Sequence, residues 1–397
     1  MQNPVFRYGL ICVLVCFAIL NFYKTKNFYS DPDFPYDGRN VHLGGKLWLK
    51  GENPYNDSLL NAEWINSVKT NRTLTKKPPG FPDSGFIYPF WSIPVLIPYY
   101  IVSWPFARQL IWILSFIFLF VLAWFSYKSF KYTGLSFAFV LLIILAFKSS
   151  FVALVLGQPF LFSLAALMVS WYFYLKNKET LSGLILGIAL VKITLCIPFV
   201  IFFLINKKWK LLFFSGILPL MGAISFYAIS GDFYINEMLL NVSYKMQLNY
   251  SGHTINAMNT NLTEIGILFN YFFDIGYKTI SVFNIVMLAI GTLCIAWLYL
   301  KERIKNYHFL ALLIIWNMLF TYHQIYDCLI LIFLVPLVKT TGNSRWIWLI
   351  LLSPLFLPIN GIFKNMDWIQ FHLPVTLLIL FLYLVYECYR NHTTRIV

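Results

Sequence analysis

The sequence predicts an all-α polytopic membrane protein of about twelve transmembrane helices with a structured first outer loop. Three observations carry this. Of 397 residues, 59% are apolar and only 12% are charged, half the share of a water-facing domain. Apolar runs of about 17 or more residues recur along the chain, each long enough to cross a bilayer. Runs of that length satisfy their backbone polar groups in hydrocarbon only as helices, because barrel strands are shorter and alternate in polarity.

The first run, 8–24, follows Arg7 and ends in the bulky Asn21-Phe22-Tyr23-Lys24, so it reads as a retained span rather than a cleaved leader. A long polar stretch, 25–86, comes next. The further expected spans are 87–104, 106–126, 134–155, 159–175, 181–204 and 211–230. After a second polar stretch, 231–276, come 277–300, 306–321, 325–339, 345–362 and 368–388. With the amino terminus inside, both long stretches lie outside. Lys207-Lys208-Trp209-Lys210, Lys301 to Lys305, Lys339 to Arg345 and the tail with Arg390 and Arg395 lie inside, as the positive-inside rule asks. One region disagrees: Lys128, Lys131, Lys176 and Lys178 fall outside in this count, with only Lys148 inside. Either the 134–158 segment is broken or re-entrant, or the rule is weak there.

The net charge of +14 is spread over interhelical turns, a pattern of topology signals and lipid-headgroup contacts rather than of nucleic-acid binding. The six cysteines lie in or beside apolar runs, so neither a disulfide framework nor a zinc site is expected. Of sixteen acids, seven lie in the first outer loop: Asp31, Asp33, Asp37, Glu52, Asp57, Glu63 and Asp83. Acids barely influence insertion, so topology does not demand this concentration. They keep a loop soluble, or one or two of them perform acid–base work at the outer surface.

That loop carries Phe34, Tyr36, Trp48, Tyr55, Trp64 and Phe81, and Val41, Gly44 or Gly45 and Trp48 recur at near-helical spacing. A short amphipathic helix on the membrane, with Trp48 at headgroup level, is expected there. Gly51 and Asn53-Pro54 read as its stop and the turn after it.

Four polar features stand in or beside the spans: Asp37 with Arg39 and His42; Gly157-Gln158-Pro159 between two apolar runs; Lys192 in Leu190-Val191-Lys192-Ile193-Thr194; and Tyr322-His323-Gln324-Ile325-Tyr326-Asp327. An ionisable group at the bilayer centre costs at least about 2.5 kcal/mol, so Lys192 and Asp327 need partners, each other among them. A buried lysine otherwise suits a phosphate at low dielectric. His323 is a donor to the same anion or a satisfied core histidine. No phosphate-loop glycine pattern or nucleophile elbow occurs, against an ATP-driven pump and a serine hydrolase.

The stretch DGRNVHLGGKLWLKGENPY, from Asp37 through Gly51 to Pro54-Tyr55, resembles the signature of glycosyltransferase family GT87. Tyr88-Pro89, Gly157-Gln158, the run from Gly183 to Lys192 with its basic turn at Lys207-Lys208-Trp209-Lys210, and His323-Gln324-Ile325-Tyr326-Asp327 are similar to further elements of that family, in the same order. Two departures stand out: Asp37 is followed by Gly38-Arg39 instead of a Phe and paired tyrosines, and Lys192 lacks the proline that commonly follows. The resemblance implies a GT-C fold and an inverting transfer of a mannose-like hexose or a pentose. The donor would be a polyprenyl-phosphate sugar and the acceptor a glycan or glycolipid on the outer face of the membrane; the bias toward Lys, Asn, Ile and Phe suggests a bacterial inner membrane. Among its relatives would be polyprenol-phosphate-mannose α-mannosyltransferases. It makes Asp37 the general base, with Asp33 in reserve. Arg39, His42, Gln158, Lys192, His323 and Tyr326 would hold the donor phosphate or sugar, with no cofactor, nucleotide or metal. The rivals are a transporter or flippase using Lys192 and Asp327 as a coupling site, and an O-antigen ligase or polymerase, which would carry its largest outer loop late in the chain. The Asn-x-Ser/Thr triplets at Asn56, Asn71, Asn241, Asn249 and Asn261 fall on the outer side, so an endoplasmic-reticulum enzyme stays open.

Overall fold

A computed structural model describes residues 4–29, 34–70, 86–131, 134–250, 262–273, 275–340, 345–356 and 371–393. Among them the chain is helical, and its one β contact is an isolated bridge between Leu262 and Gln324. Six segments are long and apolar enough to cross a membrane: Tyr8–Tyr29, Trp104–Ser129, Glu179–Ile205, Trp209–Ser230, Tyr277–Leu300 and His372–Arg390. A bent pair makes a seventh, against the twelve expected from the sequence.

Helix α1 (Pro4–Tyr29) leads into two short helices of the first loop, α2 (Tyr36–Leu49) and α3 (Asp57–Thr70). Helix α2 ends where the sequence stops it. Gly51 takes φ +75°, and the Asn53 Oδ1 accepts from the Tyr55 N–H at 2.9 Å. Instead of lying on a membrane surface, α2 is enclosed. Val41, Leu43 and Leu47 are buried, and Trp48 is 3% exposed, stacked on Phe226 and donating to its carbonyl at 3.2 Å. The sequence reading sent Trp48 to the headgroups because it saw one apolar stripe. A second apolar layer, residues 86–111 and Phe226, covers the rest of the helix.

Residues 87–104 do not form a spanning α-helix. Pro89, Pro94 and Pro98 interrupt the hydrogen-bond ladder, and the chain makes two 3₁₀ segments, Phe90–Ser92 and Pro94–Tyr99. Next come α4 (Trp104–Ser129), then α5 (Phe137–Ala146) and α6 (Lys148–Leu156), bent by 65° at Phe147. This is the broken segment that the lysine distribution suggested. The carbonyls exposed at the bend are met by side chains: Asn21 donates to Leu145 O at 3.1 Å, and Ser150 donates to Ile144 O at 2.6 Å. Non-helical backbone at membrane depth persists only with such partners.

Helix α7 (Phe160–Leu175) runs back beside α4 and turns into α8 (Glu179–Ala189), a 3₁₀ turn (Leu190–Lys192) and α9 (Ile193–Ile205). Straight, residues 179–205 would measure about 40 Å. Lys208, just past α9, nevertheless pairs with Glu179 at 2.8 Å, so the segment reverses at Lys192 and both its ends lie at one end of the bundle. Its composition gives a span, while its tertiary contacts give a re-entrant hairpin. Helix α10 (Trp209–Ser230) rises along α8, with Gly183 and Gly187 against the Leu211 and Ser215 carbonyls. Helices α11 (Ile235–Tyr250) and α12 (Gly266–Phe273) belong to the second polar stretch. They are followed by α13 (Tyr277–Leu300), α14 (Asn306–Phe320), a ten-residue 3₁₀ run (Ile325–Leu334), α15 (Val335–Thr340), α16 (Arg345–Leu352) and α17 (His372–Thr393).

These reversals also account for the discordant lysines. Phe125 of α4 packs on Tyr172 and Phe173 of α7, and the Tyr299 hydroxyl bridges the side chains of Asn206 and Asn306, 2.7 Å from each. The turns carrying Lys128, Lys131, Lys176 and Lys178 therefore share one end of the bundle with Lys207 to Lys210 and Lys301 to Lys305. Counting 87–104 as a crossing had placed them opposite.

Candidate active site

Asp37 stands in the first turn of α2, where exposed backbone N–H groups favour a carboxylate. It is brought to its partner by Gly157, which ends α6 at φ +62°. A Cβ there would lie 2.5 Å from Pro35 Cγ, so the glycine supplies both the left-handed turn and the space for the start of α2. The next residue, Gln158, is buried and donates its Nε2 to Asp37 Oδ2. Behind it the Tyr88 hydroxyl donates to Gln158 Oε1 at 2.8 Å, which fixes the amide orientation. The half-buried Asp37 thus has one oxygen held by a tethered donor.

Lys192 occupies the apex of the α8–α9 hairpin. The opened backbone is held by α7 and the 3₁₀ region: Ser163 donates to Ala189 O at 2.8 Å and accepts from the Lys192 N–H at 3.1 Å, and Trp91 donates to Leu190 O at 3.4 Å. The Lys192 ammonium, 15% exposed, pairs with Asp327 Oδ1 at 2.5 Å and lies 4.4 Å above the Tyr326 ring. Asp327 is 1% exposed; its Oδ2 accepts from His323 Nδ1 at 3.0 Å and from the Gln324 N–H at 3.2 Å. A 3₁₀ run of ten residues is uncommonly long, and the Gln324–Asp327 capping box anchors its start. Residues 262–265 pack on this turn, with the Thr263 N–H donating to His323 O at 3.1 Å.

The two groups form one cluster. Phe160, two residues beyond Gln158, packs on Tyr326, and the Lys192 ammonium lies over both rings. Of the residues singled out in the sequence, Asp37, Gln158, Lys192 and Tyr326 meet here. Arg39 and His42 do not. Two and five positions beyond Asp37 they face other sides of α2, Arg39 lying 4.2 Å over the Trp64 ring and His42 edge-on to Trp104. Burial pushes the His42 imidazole down to about 4, although its Nδ1–H donates to Tyr99 O at 2.9 Å. His323 is fully enclosed, with both ring nitrogens engaged. The reserve base Asp33 lies outside the described residues. Sequence reasoning missed Tyr88 as a partner of Gln158, and it missed Asn317, whose signal, a polar residue in an apolar helix, was available.

The family model of glycosyltransferase family 87 matches residues 86–322, which is 237 of the chain's 397 residues. The chain belongs to that family. It is therefore a membrane glycosyltransferase, which sets aside the transporter reading. The matched segment of the family 87 chain contains Tyr88, Gln158, Lys192 and Asn317; His323, Tyr326 and Asp327 lie just past its end, and Asp37 lies well before its start, in the first loop. No curated protein and no solved structure matches the chain.

Proposed function

We propose that this family 87 enzyme is an inverting glycosyltransferase with a GT-C fold, which moves a mannose-like hexose or a pentose from a polyprenyl-phosphate donor to a glycan or glycolipid acceptor. One observation carries the reading: a carboxylate held by a buried amide (Asp37 on Gln158) shares a cluster with a cation, Lys192, at the apex of a re-entrant hairpin. Asp37 removes the proton from an acceptor hydroxyl, whose oxygen attacks the anomeric carbon. The bond from that carbon to the phosphate oxygen breaks, and the lipid phosphate departs with the electron pair. Such a leaving group needs no acid but gains from fixed positive charge, the role given to Lys192. Gln158 keeps Asp37 aimed, and Tyr326 flanks the phosphate and sugar. Arg39 and His42 are left out of the donor site, because their contacts hold Arg39 against Trp64 of α3 and His42 against Trp104 of α4.

The depth of the site suits a lipid-linked donor. Helix α14 rises 15 residues from the basic end to the cluster, about 20 Å. With that end cytoplasmic, the cluster would lie in the outer half of a hydrocarbon layer about 30 Å thick, on the periplasmic side if the membrane is a bacterial inner membrane. The test is sugar transfer by the purified protein in lipid vesicles, supplied with a panel of radiolabelled polyprenyl-phosphate sugars. Asp37→Asn should lose transfer by at least about 1000-fold while still binding donor, and Asp33→Asn should keep it. Normal transfer by Asp37→Asn would remove Asp37 as the base, and no transfer by the unaltered protein from any donor would remove the reading.

A further inference from the structure

His323 is enclosed, and its surroundings fix where its proton sits. The argument begins at Pro198, inside α9. In an α-helix the carbonyl of Thr194 would accept from the N–H of residue 198, and proline has none. Thr194 O instead accepts from Asn317 Nδ2 at 2.8 Å. That contact sets the amide orientation of Asn317, since two oxygens facing each other would leave both without a proton. The second proton of the same Nδ2 points to His323 Nε2, 3.0 Å away. Nε2 is therefore an acceptor and carries no hydrogen. The remaining nitrogen, Nδ1, faces Asp327 Oδ2 at 3.0 Å, where the carboxylate requires a donor. Only the neutral ring with its proton on Nδ1 satisfies both neighbours.

We propose that His323 is a neutral relay, not a ligand of the donor. Locked by Asn317 and donating to Asp327, it sets the direction from which that carboxylate holds the Lys192 ammonium. Asn317 and His323 are then positioning residues for the cation. A protonated ring would set an N–H against the Asn317 NH₂ group, and a proton on Nε2 alone would set the bare Nδ1 against the carboxylate. Two separate elements, α9 through Pro198 and α14 through Asn317, thereby fix one tautomer. The relay itself rests on geometry alone. Its consequence for transfer rests on the reading of Lys192 as the phosphate cation.

The experiment has two arms. In the first, the whole protein is labelled with ¹⁵N-histidine in lipid vesicles without substrate, and the His323 signals are assigned by their loss in His323→Asn. A neutral ring protonated on Nδ1 at pH 7 is expected, unchanged when a polyprenyl-phosphate is added. An imidazolium, or a proton on Nε2, overturns the proposal. In the second arm, transfer is measured against pH. His323→Asn places an amide NH₂ where Nδ1–H was and should stay within about threefold of the unaltered enzyme, with the same pH profile. His323→Leu should lose about 100-fold, in kcat more than in KM. Equal loss in both variants, or an alkaline limb that disappears in His323→Asn, would mean that the ring charges and touches substrate. If the unaltered protein transfers nothing, the function reading fails while the first arm still decides the relay.

Discussion

Removing the carboxylate of Asp327 should cost far more than removing the whole ion pair. Asp327 is 1% exposed and accepts from three donors: Lys192 at 2.5 Å, His323 at 3.0 Å and the Gln324 N–H at 3.2 Å. In Asp327→Asn the amide oxygen still serves one or two of these, but the Lys192 charge is left in the bundle. Breaking a buried pair from one side costs about 3–5 kcal/mol. The lower end applies here, because the ammonium keeps the Tyr326 face at 4.4 Å, a desolvated cation–π contact of about 2 kcal/mol. The expected loss is therefore about 3 kcal/mol. Adding Lys192→Met removes the stranded charge, leaves the amide oxygen for His323 and Gln324, and should restore stability to within about 1 kcal/mol of the unaltered protein. The double variant should still transfer sugar at least about 100-fold more slowly, the loss expected when one preorganised stabiliser of a leaving anion is removed. Reversible unfolding in mixed micelles with increasing SDS reads the first quantity, and radiolabelled transfer the second. A single variant within about 1 kcal/mol of the unaltered protein, or a double variant no more stable than the single, would refute the reasoning. A double variant that transfers normally would show that Lys192 serves the fold alone.

Gly157→Ala should be damaging although glycine has no side chain to offer a substrate. The left-handed turn costs about 1–3 kcal/mol for a residue with a side chain, and the new methyl meets Pro35 at 2.5 Å. Gln158 is then moved off Asp37, so transfer should fall at least about tenfold in protein that still elutes as a folded species from size-exclusion chromatography. His42 predicts an acid-sensitive stability. Its folded value of about 4 lies below the ordinary 6.5, mainly through burial, so the unfolded chain takes up the proton first. Stability is complete above pH 6.5 and is lost as pH falls toward 4, by about 3 kcal/mol in all. SDS unfolding at a series of pH values should show this slope, and His42→Gln should remove that part of it.

How much of this was legible in the chain follows from which forces act locally. Apolar length fixes helices in hydrocarbon whatever surrounds them, so most helices and the stop at Gly51 were readable. Gln158, Lys192 and Tyr326 were readable too, because a polar group in or beside an apolar run demands a partner and thereby draws attention, while Asp37 was readable from the acid-rich loop and the GT87-like stretch that it opens. Which partner it finds is not local. Lys192 lies 135 positions from Asp327, and Asp37 lies 121 from Gln158. Arg39 and His42, adjacent to Asp37 in sequence, face elsewhere because a helix turns about 100° per residue. The reversal at Lys192 was invisible for the same reason. Residues 179–205 are apolar enough to cross, and only the side chains of Ser163, Trp91 and Asn317, each from another element, make the break tolerable. By itself the sequence determined a helical membrane protein and the inventory of polar groups it must satisfy. The tertiary structure alone decided which crossings turn back and which polar groups meet, because a backbone carbonyl in hydrocarbon takes its donor from whatever packs beside it.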